Sequence, residues 1–229
     1  MSNDSIVTVV IDDLKYSLND DAGLACIEGY VGEPTVVTIP ETIEVEGRTY
    51  RVHQINDEAF ANCNSLASIS IPNSVKEIGK GAFANCTSLT SISIPDGVEE
   101  IEEKTFLNCT SLASITIPNS IKKIGHSAFA WCTSLASVDI PKGVKKIGSL
   151  AFQDCSSLTS VDIPDSVKEI ERGAFEFCTS FISIDIPESV EEIGDYAFLN
   201  CTSLSSVTIP ESVKTGHGLF DRYCPIDNE

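Results

Sequence analysis

Basic residues are scarce in this chain, which has 15 Lys and Arg against 34 Asp and Glu and a formal net charge of −19. Nucleic acids and anionic membranes bind clustered positive charge, so the composition argues against both as direct partners. Long apolar runs are also lacking, and none approaches the ~20 residues of a membrane-spanning helix. We therefore expect no membrane insertion. The opening stretch, MSNDSIVTVVIDD, lacks the basic and apolar regions of a signal peptide.

Signatures of enzymatic chemistry are lacking too. The chain has three histidines, His53, His126 and His217, and they lie too far apart in the sequence pattern to suggest a catalytic triad. No G-x-S-x-G, phosphate-binding loop or H-E-x-x-H motif is present. We expect no catalytic residues, no cofactor and no enzymatic activity.

What the chain has instead is a repeat of 23 residues. Three residue types recur on this step: cysteine at Cys63, Cys86, Cys109, Cys132, Cys155, Cys178, Cys201 and Cys224; proline at Pro72, Pro95, Pro118, Pro141, Pro164, Pro187 and Pro210; phenylalanine at Phe60, Phe83, Phe106, Phe129, Phe152, Phe175 and Phe198. Chance does not place three residue types on one period. A repeat of this length predicts a solenoid, in which each coil buries its faces against its neighbours.

One repeat unit predicts one coil. The segment LASISIP alternates apolar and polar residues, which predicts a short strand that ends at Pro72. Val75 and Ile78 predict a second, shorter strand or turn, and GAFANC is long enough for one turn only. The side chains expected to point inward are Leu66, Ile69, Ile71, Val75, Ile78, Ala82, Phe83 and Cys86.

This pattern, L-x-x-I-x-I-P-x-x-V-x-x-I-G-x-x-A-F-x-x-C, resembles the BspA-like leucine-rich repeat family. One unit is matched by Leu89, Ile92, Ile94, Pro95, Val98 and Ile101, and the end of another by Ala82, Phe83 and Cys86. The segment YRVHQINDEAF resembles the family's entry segment, and the resemblance covers residues 50–224. Departures are Phe181 for Leu, Thr105 for Ala, and Glu102 and Glu171 for Gly. The two glutamates indicate that the Gly position does not require positive φ.

The resemblance implies a leucine-rich repeat solenoid of the α/β-type repeat class, mostly β with short turns. We expect a right-handed coil with one parallel sheet built from the first strands, on which Ile69, Ile92 and Ile115 stack. Residues 1–50 break the period and predict an N-terminal β cap. Residues 51–224 predict about seven coils of 23 residues, and residues 225–229 a polar C-terminal tail.

The family occurs in bacterial surface adhesins and in many protist proteins, which implies binding rather than catalysis. Our first hypothesis is a binding module that presents its repeat surface to a protein or glycan, including adhesion at a cell surface. The alternative is a cytosolic scaffold or regulatory protein that uses the same surface on an internal partner. The resemblance implies a secreted or cell-surface location, and Met1 as the native start would imply the cytoplasm. We expect a monomer.

One candidate binding surface, the strand face, consists of the outward residues of the first strands. It carries Ser at its first position in all seven coils and Ser, Thr or Asp at its second. Asp139, Asp162 and Asp185 are expected to form a line of carboxylates about 4.8 Å apart. A Ca²⁺ ion would relieve their repulsion, but one carboxylate per coil gives too few converging ligands, so we favour solvated side chains and expect no metal site.

The second candidate surface lies just before each cysteine. The residues there are Asn62, Asn85, Asn108, Trp131, Asp154, Phe177 and Asn200, so a polar default is broken twice. Nearby, Leu150 and Tyr196 stand where other coils have Gly81 and Gly173. If exposed, Trp131, Leu150, Phe177 and Tyr196 form an apolar ridge suited to a protein partner. The alternative is that these side chains fold over the coil edge as extra core.

Two further columns are expected to be structural. Lys and Glu alternate among the coils after the repeated Val, as in Glu99 and Lys122, which predicts weak cross-coil ion pairs on a solvated edge. The cysteines could be interpreted as a metal site or as disulfides. A line of thiols does not converge into a tetrahedron, and equivalent neighbours make any pairing arbitrary. We therefore predict that Cys63 through Cys201 are reduced and fill the same small buried slot in every coil.

Overall fold

The computed structural model describes residues 7–220 as an all-β solenoid of about eight turns. Within these residues no helix forms, and so none is long and apolar enough to cross a membrane. Cys224, the predicted tail at 225–229 and the first six residues of the predicted cap lie outside the described residues. The leucine-rich repeat solenoid predicted from the 23-residue period is confirmed.

The N-terminal strands build a mixed sheet at one end of the solenoid. They are β1 (Val7–Ile11), β2 (Leu14–Asn19), β3 (Leu24–Tyr30), β4 (Val36–Thr38), β5 (Thr42–Val45) and β6 (Arg48–Ile55). The order is β1-β2-β3-β6-β5, antiparallel except for the parallel pair β3–β6. β4 lies outside this sheet and pairs in parallel with the first repeat strand, Ser68–Ser70, so the N-terminal strands continue directly into the coils.

The first side of each coil is a short strand from the S-x-x-I-P segment, in which the second residue is Ile or Val. These strands are β7 (Ser68–Ser70), β9 (Ser91–Ser93), β11 (Ser114–Thr116), β13 (Val138–Asp139), β15 (Val161–Asp162), β17 (Ser183–Asp185) and β19 (Ser206–Thr208). Ile92 pairs with Ile115, and β7 pairs with β9, so the predicted isoleucine stack is present. The hydrogen-bonded ladder is not continuous, because pairing is interrupted on either side of the two-residue strands β13 and β15.

The second side is a ladder of two-residue strands. They are β8 (Glu77–Ile78), β10 (Glu100–Ile101), β12 (Lys123–Ile124), β14 (Lys146–Ile147), β16 (Glu169–Ile170), β18 (Glu192–Ile193) and β20 (Lys214–Thr215). The strands β10, β12, β14, β16, β18 and β20 form one parallel sheet in that order, while β8 pairs with β6 of the N-terminal sheet. In every coil through β18 the isoleucine is buried, and the side chain of the charged residue before it is exposed or half-buried.

The third side, which we call the turn face, is the segment that ends at each cysteine. Along this segment, backbone hydrogen bonds to the next coil alternate with hydrogen bonds inside the coil. The amide of Phe83 donates to the carbonyl of Thr105 in the next coil, whereas the amide of Ala84 donates to the carbonyl of Gly81 in its own coil. Two residues per coil, four apart, have left-handed backbone conformation, as Gly81 (φ 59°) and Asn85 (φ 62°) do. The single turn expected from GAFANC is therefore this double left-handed turn.

Phenylalanines form the centre of the core. Tyr30, the seven repeat phenylalanines and Phe220 stack in one column, with ring centroids 5.2–5.9 Å apart. The inward set predicted for one unit is buried, except that Ile71 is half-buried against the core. Thr105, which replaces Ala, is buried and donates its hydroxyl to the carbonyl of Glu102 at 2.9 Å.

The glycine that follows the buried Ile in most coils is explained by close approach of two backbones. None of these glycines has positive φ, in agreement with the expectation from the sequence. A Cβ added at Gly148 would lie 2.7 Å from the carbonyl carbon of Gly125 in the preceding coil. Glu171 occupies the same position in its own coil, where its carboxylate accepts a hydrogen bond from the amide of Ser149 at 2.6 Å.

The cysteines lie in the predicted slot. Cys63 through Cys201 are buried, and from Cys86 onward each thiol donates to the backbone carbonyl of a phenylalanine at 3.1–3.2 Å. Burial raises the pKa of Cys132 to about 12, and it raises the pKa of the thiols of Cys109, Cys155 and Cys178 well above the usual range. A thiol that stays protonated is a poor nucleophile, so this column is expected to be chemically inert.

Thiol titration checks this expectation. In the folded protein, the cysteines from Cys63 to Cys201 should react with a thiol reagent far more slowly than the half-buried Cys26, because burial keeps the reagent away from their sulfur atoms. Unfolding without reductant should then release them all. If few thiols appear on unfolding, the column contains disulfides and our assignment is wrong.

Candidate protein-interaction surface

The apolar ridge comprises Trp131, Leu150, Phe177 and Tyr196, and it lies on the turn face. The exposed fractions are 50% for Trp131, 37% for Phe177 and 37% for Tyr196, while Leu150 is half-buried. Three of the four side chains are thus available to a partner. Other large apolar side chains are exposed as well: Val10 in the N-terminal strands, and Ile182, 53% exposed, just before strand β17. The ridge differs from these because its residues follow one another in consecutive coils.

The four ridge residues alternate between two left-handed columns of the turn face. The first column contains Glu58, Gly81, Lys104, Ser127, Leu150, Gly173, Tyr196 and Gly218; the second contains Asn62, Asn85, Asn108, Trp131, Asp154, Phe177 and Asn200. Moving along the solenoid, the ridge therefore takes one side chain per coil from alternating columns. The coil steps from Trp131 to Tyr196 measure 5.2, 5.3 and 5.5 Å at their stacked phenylalanines.

The backbone conformation of the ridge is unfavourable for its residue types. Trp131 has φ 67°, Leu150 57°, Phe177 61° and Tyr196 62°. Left-handed conformation suits Gly, Asn and Asp, and it costs bulky residues about 1–2 kcal/mol each. Elsewhere in these columns Gly and Asn are common, and Asn85 and Asn108 even extend a side-chain ladder from Asn62 with hydrogen bonds of 2.9 Å. The four ridge residues therefore occupy backbone positions that favour Gly or Asn over large side chains.

Neighbouring glycines leave room for two ridge side chains to lean along the solenoid. A Cβ on Gly173 would lie 2.6 Å from Cδ2 of Leu150, and one on Gly218 would lie 2.7 Å from Cε1 of Tyr196. On its other side Tyr196 carries Arg172, whose guanidinium carbon is 5.4 Å from the ring centroid. The alternative that ridge residues pack over the coil edge thus applies in part to Leu150 and Tyr196, and least to Trp131.

Carboxylates lie among the ridge side chains. Asp154 stands between Trp131 and Phe177 in the second column, and burial raises its pKa. Glu176 precedes Phe177; burial, with the charge of Asp154 nearby, raises its pKa too. The sequence pattern identifies Asp154 only as a member of its column and does not single out Glu176. The signal that could have found the columns is the 23-residue recurrence of Gly and Asn, the residues that favour left-handed conformation.

Asp154 is expected to reduce stability at neutral pH. Its folded pKa lies above the unfolded value, so the native state binds more protons and loses stability as the pH rises through that interval. Asp154→Asn should therefore raise the free energy of unfolding at pH 7, and the gain should vanish near pH 3. Urea denaturation at both pH values measures it, with the exposed Asp139→Asn as control. A gain that is equal at both pH values would contradict the assignment.

The strand face carries the carboxylate line expected from the sequence. Asp139 and Asp162 are exposed and paired in register, and Asp185 is exposed on the adjacent strand β17. Within residues 7–220, no group of three or more His, Cys, Asp or Glu is arranged to hold a metal ion. The rest of this face is Ser and Thr, so it offers a uniform polar surface.

The predicted cross-coil ion pairs on the second side of the solenoid are confirmed. Lys122 contacts Glu99 at 2.7 Å, Lys123 contacts Glu100 at 3.0 Å, and Lys146 contacts Glu169 at 3.1 Å. The side chains are 40–62% exposed, so each pair is worth about 0–1 kcal/mol. This side is a solvated edge that contributes little to stability.

Comparison with known proteins decides the family. A sequence profile of the BspA type leucine rich repeat region matches six copies over residues 53–178 and 122–228. The chain belongs to the BspA-type leucine-rich repeat family. No curated protein matches this BspA-type chain.

Solved structures resemble this BspA-type protein over most of its length. The T. pallidum leucine-rich repeat protein TpLRR is 36% identical, with a TM-score of 0.77 over 86% of this chain and 91% of its own. A leucine-rich repeat protein from Bacteroides ovatus ATCC 8483 is 32% identical, with a TM-score of 0.72 over 93% and 68%. A leucine-rich cell surface protein from Faecalibacterium prausnitzii A2-165 is 29% identical, with a TM-score of 0.72 over 99% and 77%.

Proposed function

We propose that this protein is a non-enzymatic binding module whose apolar ridge docks a protein partner. The observation that carries the proposal is the placement of Trp131 and Phe177, both large and exposed, at left-handed positions where Asn is favoured and present in neighbouring coils. Residues that are unfavourable for the local backbone and exposed to solvent point to function rather than folding. Trp and Tyr are also among the residues that dominate binding energy at protein interfaces.

The strand face is the competing site. Asp139 and Asp162 lie side by side and would attract a basic partner. The remaining strand-face residues, however, are small and alike in every coil, so they offer weak contacts and little discrimination between partners. The ridge differs from coil to coil, and we therefore favour it.

The absence of catalysis is part of the proposal. His53 contacts the carbonyl of Ala25 at 3.2 Å, and His126 contacts the hydroxyl of its neighbour Ser127 at 3.2 Å. The first contact joins the paired strands β3 and β6, and the second joins neighbouring residues, so we assign both a structural role. Similarity to the F. prausnitzii cell surface protein supports display of the ridge outside the cell. A cytosolic scaffold would use the same surface, and fractionation of cells that express the full-length gene distinguishes the two locations.

Affinity capture with three matched baits tests the proposal. The baits are the wild type, a ridge variant (Trp131→Asn with Phe177→Asn) and a strand-face variant (Asp139→Ser with Asp185→Ser), each substituted with a residue that other coils carry in the same column. We expect proteins captured by the wild type to be kept by the strand-face variant and lost by the ridge variant. The reverse pattern, with all baits folded, would move the site to the strand face.

A further inference from the structure

Glu176 has an unusual position for a carboxylate, since it lies in the middle of the apolar ridge. It is half-buried, and a Cβ on Gly173 would come within 3.1 Å of its Oε2 atom and 2.6 Å of Leu150. Gln153 donates to the same oxygen over a long 3.4 Å. The carboxylate is therefore partly shielded from water, and this long contact is a weak compensating hydrogen bond.

A second carboxylate, that of Asp154, lies close enough to Glu176 to affect its pKa. Asp154 lies one coil before Phe177, and its charge adds to burial in raising the pKa of Glu176. Arg172 offsets part of this charge, but its guanidinium lies over the ring of Tyr196 at the far end of the ridge. The end formed by Trp131 and Phe177 thus combines two exposed aromatic rings with two carboxylates.

We propose that the apolar ridge recognises an extended basic segment of its protein partner, with a Lys or Arg side chain set between Trp131 and Phe177 against the carboxylates of Asp154 and Glu176. The inference rests on the proposed function and names the chemistry of the partner. Aromatic rings attract cations through their faces, and carboxylates provide charge-assisted hydrogen bonds. Arg172 over Tyr196 is an internal example of the same contact.

Charge and length both favour such a segment. The net charge of −19 attracts a basic chain at long range. The three coil steps of the ridge, 5.2–5.5 Å each, match an extended peptide of about five residues at ~3.3 Å per residue. A neutral apolar segment would cover both carboxylates and leave them unpaired, which is costly, and an acidic segment would be repelled.

Selection from a phage-displayed library of random linear peptides tests the inference. The wild type is the bait, and peptides that also bind the ridge variant are discarded. We expect the ridge-dependent peptides to carry Lys or Arg beside apolar residues. Ridge-dependent peptides without basic residues would overturn this inference and leave the proposed function standing. If no peptide depends on the ridge, the proposed function itself fails.

Binding constants then locate the cation. Trp131 is the only tryptophan of the chain, so its fluorescence reports directly on the ridge. For a selected basic peptide, Glu176→Gln and Asp154→Asn should each weaken binding about 10-fold, as should replacing the peptide's Lys or Arg by Gln. Glu191→Gln, an exposed carboxylate on another side of the coil, should change nothing. Unchanged affinity in both ridge carboxylate variants would overturn the inference.

Discussion

Phe129→Ala is expected to lower the free energy of unfolding by about 3–5 kcal/mol. Phe129 is fully buried and stacks between Phe106 at 5.4 Å and Phe152 at 5.2 Å. Its removal leaves a cavity in the middle of the column, and in a solenoid the coils on either side have no other element to pack on. Urea denaturation followed by circular dichroism measures the loss.

Phe177→Asn is the matched control, because it removes the same side chain from the surface of the same fold. Here the partial loss of burial is offset by relief of the left-handed conformation, so the change should stay within about 1 kcal/mol. If Phe177→Asn costs as much as Phe129→Ala, the ridge is part of the core and has no separate role.

The ridge variant, Trp131→Asn with Phe177→Asn, is expected to weaken binding of the protein partner by at least ~2 kcal/mol, about 30-fold. The two side chains supply most of the exposed aromatic area of the ridge, while Asn suits their backbone conformation and keeps the coils intact. Isothermal calorimetry on proteins with matched melting temperatures measures the effect. The strand-face variant should bind like the wild type, and a loss confined to that variant would place the site on the strand face.

The sequence was sufficient to predict the architecture, because one period fixes the core in every coil. Phe83 and Cys86 are buried where their recurrence placed them, and the strand at Ile92 stacks on the strand at Ile115. The interruption of the ladder beside β13 and β15 was not predictable. It depends on small local differences in strand length that the shared pattern S-x-x-I-P does not encode.

The ridge was only partly predictable. The substitutions at Trp131 and Phe177 stand out against the asparagines of their column, whose recurrence favours a left-handed backbone, but the exposure of the two side chains is visible only in three dimensions. Glu176 was missed for the same reason. Its surroundings come from two different coils, since a Cβ on Gly173 would lie 3.1 Å from Oε2 of Glu176 and 2.6 Å from Leu150 of the preceding coil.

The central claim is that the ridge contacts the partner, and site-specific photo-crosslinking tests it most directly. A photoreactive phenylalanine analogue is placed at position 131 of one protein and at position 139 of another, and each is irradiated with the partner or with a ridge-selected basic peptide. We predict adducts from position 131 and none from position 139. Adducts from position 139 alone would show that the strand face is the binding surface and would contradict the account.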